Sequence, residues 1–267
     1  MQNTLLVFLG TALFSGAQEV IKLWEGEVPF SKKAKAENVI TEKRPGEFRI
    51  TEVTDPEITV YPASPETHNG MGLVICPGGG YVHLGFKGKG IDFAKHFTKE
   101  GFTCFVLHYQ VPKNRKGALS DAGQAMKIIR SRSQEWKINP AKIGMIGTSA
   151  GGHLIAALSA QTKEPKLRPN FAILLCPAYL TDKKSGKLSA EFTELKNTPP
   201  FFIFTAEDDK GWIVGSRVFA KTLNEKNLPH EVHLVPKGGH GFGLKEGNPA
   251  AETWPALALK WIEGLNL

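Results

Sequence analysis

The order of apolar and amphipathic stretches predicts an α/β domain, a mostly parallel sheet covered by helices on both faces. Three observations predict it. Short apolar runs (GLVICP, FTCFVLHY, KIGMIG, NFAILLCP, PFFIFTA and HEVHLVP) read as strands, several continuous enough for burial on both faces. Helical stretches alternate with them, at roughly 87–100, 119–136, 149–161, 214–227 and 249–264, and such alternation winds a parallel sheet. Finally, 267 residues can bury one large core without splitting into two domains.

Taken in order, residues 1–17 carry an apolar run, Leu5 to Phe14, followed by the small residues Ser15-Gly16-Ala17. That pattern predicts a cleaved export signal, too short to span a bilayer, and hence a secreted or periplasmic protein. Residues 18–46 are charged and read as an irregular N-terminal arm wrapping the domain that follows, 47–267. FRITEV and EITVYP alternate apolar and polar residues about Asp55-Pro56 and predict a hairpin of edge strands. In the 119–136 stretch, Ser120-Asp121 reads as the helix start, with Ala122, Ala125, Met126, Ile129 and Trp136 directed to one side.

Composition excludes several classes. The formal net charge is +7, but the lysines are scattered singly and in pairs. This describes a solvated basic surface, with no nucleic-acid partner and no membrane insertion once the signal is removed. Cys76, Cys104 and Cys176 each lie in or at the end of an apolar run, and read as buried hydrophobes rather than a disulfide framework. His230 and His233 resemble a metal pair, but their i,i+3 spacing on a strand puts them on opposite faces. No metal and no cofactor are expected.

In sheets of this kind, functional groups gather beyond the carboxyl ends of the strands. Four loops satisfy that condition. Gly147-Thr148-Ser149-Ala150-Gly151 joins a strand to a helix and matches G-x-S-x-G, in which a sharp turn holds the serine hydroxyl exposed. Pro77-Gly78-Gly79-Gly80-Tyr81 follows GLVIC and can bring bare backbone N–H groups to a developing oxyanion. The expected donors are Gly79, Gly80 or Tyr81, and Ala150. His240 lies among glycines in KGGHGFG after the last strand, where it can reach the serine. A carboxylate should follow the preceding strand, and AEDDK offers Asp208 and Asp209, with Asp209 preferred. His153, one helical turn beyond Ser149, is read as structural.

CPGGGY, GTSAGGH, AEDDK and GGHGFG, together with DAGQAMKIIRSRSQEWKINPAKIGMIG, resemble the α/β-hydrolase esterases of acetylxylan esterase-like and feruloyl-esterase-like type. The likeness runs from about residue 21 to the C-terminus. It implies an eight-stranded hydrolase sheet without a large cap domain, and a serine carboxylesterase acting on acylated carbohydrate or a small ester. Ser149 would then be the nucleophile, His240 the base and Asp209 the acid. Two departures stand out: Lys210-Gly211-Trp212 replaces the usual D-P start after the acid, which changes the wall of the site, and Pro77 stands where many relatives have histidine. The short polar stretch 181–198 does not suit the apolar lid of a lipase. Acetyl esters are the first expectation, with feruloyl or other short esters next and an amide substrate as the rival.

Overall fold

The computed structural model describes residues 18–31 and 33–267; the export-signal expectation for residues 1–17 falls outside them. The main sheet has eight strands: β1 (Val20–Lys22), β4 (Glu57–Tyr61), β6 (Thr103–His108), β5 (Gly72–Cys76), β7 (Ile143–Thr148), β8 (Ala172–Leu175), β9 (Phe201–Ala206) and β10 (His230–Val235), in that spatial order. From β6 to β10 all pairings are parallel, while β1 and β4 join antiparallel at one edge. The central strands β5 to β9 are buried along their whole length. This explains their unbroken apolar runs, because neither face meets water.

Helices α1 (Asp92–Lys99) and α5 (Pro249–Gly264) cover one face with Phe93, Phe97, Trp254 and Trp261. Helices α2 (Arg115–Ser131), α3 (Ala150–Gln161) and α4 (Ile213–Glu225) cover the other with Ala122, Met126, Leu154, Ile155 and Phe219. Among the described residues, no helix is long and apolar enough to cross a membrane. The three cysteines are buried and unpaired; burial alone raises the Cys76 thiol far above its ordinary range.

The edge of the sheet differs from the sequence expectation. FRITEV, which falls in β3 (Glu47–Glu52) apart from Val53, does not pair with EITVYP; β3 pairs antiparallel with β2 (Val39–Arg44) in a separate two-stranded sheet. EITVYP, as β4, instead pairs with β1 and β6. The 18–46 stretch is therefore not irregular throughout, since it supplies one strand to each sheet. It is also tied down: Gln124 donates to Leu23 O, Trp24 Nε1 to Asp121, and Gln110 to Pro29 O.

Helix α2 begins five residues before the expected Ser120-Asp121. Its cap is Asn114, whose side chain accepts the N–H of Gly117 at 3.1 Å. Asp121 lies in the helix, fully buried, and accepts bonds from Gln110 N, Gln110 Nε2 and Trp24 Nε1. Its polarity serves the buried junction of helix and arm rather than a helix end.

Candidate active site

Ser149 sits between β7 and α3 at φ 54° and ψ −116°, a strained conformation for a residue with a side chain. The surroundings hold it there. Its N–H donates to Leu175 O at 2.9 Å, and its carbonyl accepts from His153 N and Ala178 N. Gly151 is required by close approach, because a Cβ there would collide with the carbonyl oxygen of Cys76. The turn thus packs directly against the end of β5, where the glycine loop begins.

That loop is anchored through its carbonyls. Pro77 O accepts from Tyr109 Oη at 2.6 Å, Gly78 O from Gly85 N, Gly79 O from Val82 N, and Tyr81 O from Lys113 N. Tyr179 Oη donates to Gly80 O at 3.4 Å. By contrast, the N–H groups of Gly79, Gly80, Tyr81 and Ala150 donate to no acceptor among the described residues. Four bare donors therefore remain at the carboxyl ends of β5 and β7. Gly80 (φ 67°) and Tyr81 (φ 58°) both take left-handed backbone, which the loop needs in order to double back.

His240 lies in the loop after β10, and its ring bridges two elements. Nε2 is 2.8 Å from Ser149 Oγ, and Nδ1 is 2.7 Å from Asp209 Oδ2. An ionised carboxylate only accepts, so the tautomer assigned by this geometry has Nδ1–H donating to Asp209 and Nε2 accepting from the serine O–H. Asp209 is 3% exposed and Ser149 7%. Asp208 faces the other way and accepts the N–H groups of Gly239 at 2.8 Å and Gly238 at 3.3 Å. Asp208 thus fastens the histidine loop.

The structure brings Ser149, Asp209, His240 and the free amides of Gly79, Gly80 and Ala150 together at the carboxyl ends of β5, β7, β9 and β10. His230 and His233 stay apart on their strand, with Leu228 O and Glu231 as partners. Among the described residues, no cluster of three or more His, Cys, Asp or Glu side chains could hold a metal ion. A groove of about 500 Å³ runs between the N-terminal arm and α2 and α3, but none of the triad residues lines it. The contacts among Ser149, His240 and Asp209 lie in the loops, outside this groove.

Sequence reasoning missed a second chain of contacts. His153 is 2% exposed, with Nδ1 2.7 Å from Tyr81 Oη and Nε2 2.8 Å from Glu191 Oε1. Because Glu191 accepts from Nε2–H, the bare Nδ1 accepts the tyrosine O–H. The 181–198 segment is thereby linked through α3 to the residue after the glycine triplet. A lone histidine on an apolar helix carries no signal of its partners, which lie 72 and 38 residues away. Trp212, in the Lys210-Gly211-Trp212 stretch expected to change the wall of the site, has its ring 6.1 Å from that of His240 and 4.8 Å from that of Tyr179.

A mostly parallel eight-stranded sheet, a strained serine between β7 and α3, and a histidine and an acid on later strand ends define an α/β hydrolase fold. Residues 73–194 match a family model described as an alpha/beta hydrolase fold. The chain resembles an acetylxylan esterase of Xylanibacter ruminicola, 31% identical over 205 residues, which covers 67% of this chain and 42% of that protein. It also resembles endo-1,4-beta-xylanase B of Butyrivibrio fibrisolvens, 29% identical over 64% of this chain and 32% of that one. This chain thus spans less than half the length of either relative. The crystal structure of an acetyl ester-xyloside bifunctional hydrolase from Caldicellulosiruptor lactoaceticus superposes with a TM-score of 0.76 at 24% identity, covering 92% of this chain and 96% of that one.

Proposed function

We propose that this protein is an exported serine carboxylesterase that removes short acyl groups, acetyl foremost, from carbohydrate. One observation carries the reading: the continuous chain Ser149 Oγ, His240, Asp209, with distances of 2.8 and 2.7 Å, beside four unpaired backbone N–H groups. In this reading His240 Nε2 takes the serine proton as Oγ attacks the ester carbonyl. Asp209 keeps the other ring nitrogen protonated and stabilises the imidazolium that forms. The tetrahedral oxyanion enters the space faced by Gly79, Gly80 or Tyr81, and Ala150. One preorganised donor of this kind contributes about 2.7–4 kcal/mol to the transition state.

His240 then protonates the leaving alkoxide, an acyl-enzyme remains on Ser149, and water repeats the sequence in reverse. The acetylxylan esterase and xylanase relatives support a carbohydrate as the alcohol component. The 181–198 segment supports a small acyl group, because it packs Phe192 and Leu195 inward instead of forming an apolar lid. The test is a panel of acetyl, butyryl, longer-chain and feruloyl esters, acetylated xylo-oligosaccharide and a peptide amide. The reading expects the highest kcat/KM on acetyl esters and release of acetate from the oligosaccharide. Exclusive cleavage of the amide would overturn it.

A further inference from the structure

The esterase reading leaves the alcohol component undefined beyond carbohydrate, and the wall beside His240 narrows it. His240 protonates the leaving alkoxide, so the alcohol must lie on the side of the site that this imidazole faces. Trp212 stands beside that ring, and Tyr179 continues the surface to Gly80 of the glycine loop. The two rings, both partly exposed, meet edge to face at 67° and form an aromatic corner beside His240. Cations border it. The Lys183 ammonium lies 4.1 Å from the Trp212 ring centroid, and the Arg115 guanidinium 4.2 Å from that of Tyr179.

A third cation approaches from the loop of His240 itself. Gly241 has no side chain, and Lys89 Nζ occupies the adjoining space, 3.0 Å from where a Cβ at position 241 would stand. Lys89 is only half-exposed. Among the described residues, Lys89, Arg115, Lys183 and Lys210 take part in no ion pair.

The nearby carboxylates are already engaged by the protein. Asp209 serves His240, Asp208 the amides of Gly238 and Gly239, and Glu207 pairs with Arg217. Asp182 accepts from Lys184 N, Ser185 N and Ser185 Oγ. Glu191, on which the charge of Arg115 also acts, is bonded to His153. The field on the other side of the glycine loop has the same sign. His83 is held below the usual imidazole range by burial, and the charges of Arg49, Lys89 and Lys43 push it the same way. Cations that no carboxylate pairs attract ligands of the opposite sign.

We propose that the alcohol component of the substrate is an anionic carbohydrate, an acylated sugar carrying a carboxylate or sulfate group, seated beside Trp212 and Tyr179 with its anion held by Lys183 and Lys89. The inference rests on the esterase reading, and its test separates the two. The substrates are methyl O-acetyl-glucoside, the matching O-acetyl-glucuronoside and the O-acetyl-glucoside 6-sulfate. The kcat/KM ratio of each acidic ester to the neutral one should be about 10 or more at low ionic strength. It should fall toward one at about 1 M salt, where the screening length is about 3 Å, and toward one in the double variant Lys89→Gln/Lys183→Gln.

Calorimetry with the three deacetylated glycosides on the unaltered protein reads the same preference without catalysis. Preference for either anion supports the proposal, and the two acidic arms show which group is favoured. Tighter binding of an acidic glycoside with no hydrolysis of any ester would sustain it while removing the esterase reading. Efficient hydrolysis with a ratio near one, or a high ratio unchanged in the double variant, would overturn it and leave the esterase reading intact.

Discussion

The carboxylate of Asp208 accepts the N–H of Gly239 at 2.8 Å, one residue before His240, while its neighbour Asp209 lies 2.7 Å from the imidazole itself. Two adjacent acids thus hold one histidine by different means, one through the backbone of its loop and one through its ring. The separation predicts different kinetic signatures. Asp209→Asn should lower kcat by about 10⁴, because the wrong tautomer becomes favoured, with stability nearly kept. Asp208→Asn keeps one acceptor oxygen and should cost activity only modestly, together with about 1 kcal/mol of stability for a weakened hydrogen bond. Steady-state kinetics and thermal unfolding of both variants check this, and a collapse confined to Asp208→Asn would reverse the assignment.

Tyr81 fixes the end of the glycine loop through its hydroxyl. Tyr81→Phe removes that group alone and leaves His153 Nδ1 without its donor. Losing one buried hydrogen bond costs about 1–3 kcal/mol. If part of that energy positions the loop amides, kcat should fall about tenfold with KM unchanged. An unaltered kcat with lowered stability would show that the Tyr81–His153–Glu191 chain only holds the fold.

Gly151→Ala tests the packing of the serine turn on β5. Its Cβ would enter the space of the Cys76 carbonyl, a backbone atom that cannot rotate aside. Overpacking of this kind costs typically about 1–3 kcal/mol, and here it should also displace the glycine loop. Both a lower unfolding midpoint and a loss of esterase activity are expected.

Much of this arrangement was legible in the sequence. Buried parallel strands announce themselves because both faces are apolar, and Ser149 and Asp209 each follow such a run, whereas His240 follows the partly exposed edge strand β10. The edge was less legible. The exposed strand VITEKR shows no alternation, since neither of its faces is buried, so FRITEV was matched to the wrong partner across Asp55-Pro56. Asp121 looked like a helix cap because an acid after serine usually is one, and its donors come from Gln110 and Trp24. The partners of His153 and the contact of Tyr179 with Trp212 depend on distant segments, which no local pattern encodes.

At that same edge, Glu57 gives the fold a dependence on acid. Burial alone would raise its pKa, but the hydrogen bonds and charges of His108 and Lys22 bring it down to about 2. A carboxylate depressed in the folded state contributes stability above its unfolded value, about 4.3. That contribution is lost as pH falls from there toward 2, and it amounts to up to about 3 kcal/mol. Urea unfolding across this window should show a steeper loss for the native protein than for Glu57→Gln. Parallel curves would contradict the assignment.

The central claim is that Ser149 is the nucleophile. The direct measurement is to treat the folded protein with a fluorophosphonate, digest it and locate the adduct by peptide mass spectrometry, with ester hydrolysis followed on the same sample. One adduct is expected, on Ser149, forming in step with the loss of hydrolysis and greatly slowed in His240→Ala. An adduct on another residue, or full inactivation with Ser149 unmodified, would contradict it.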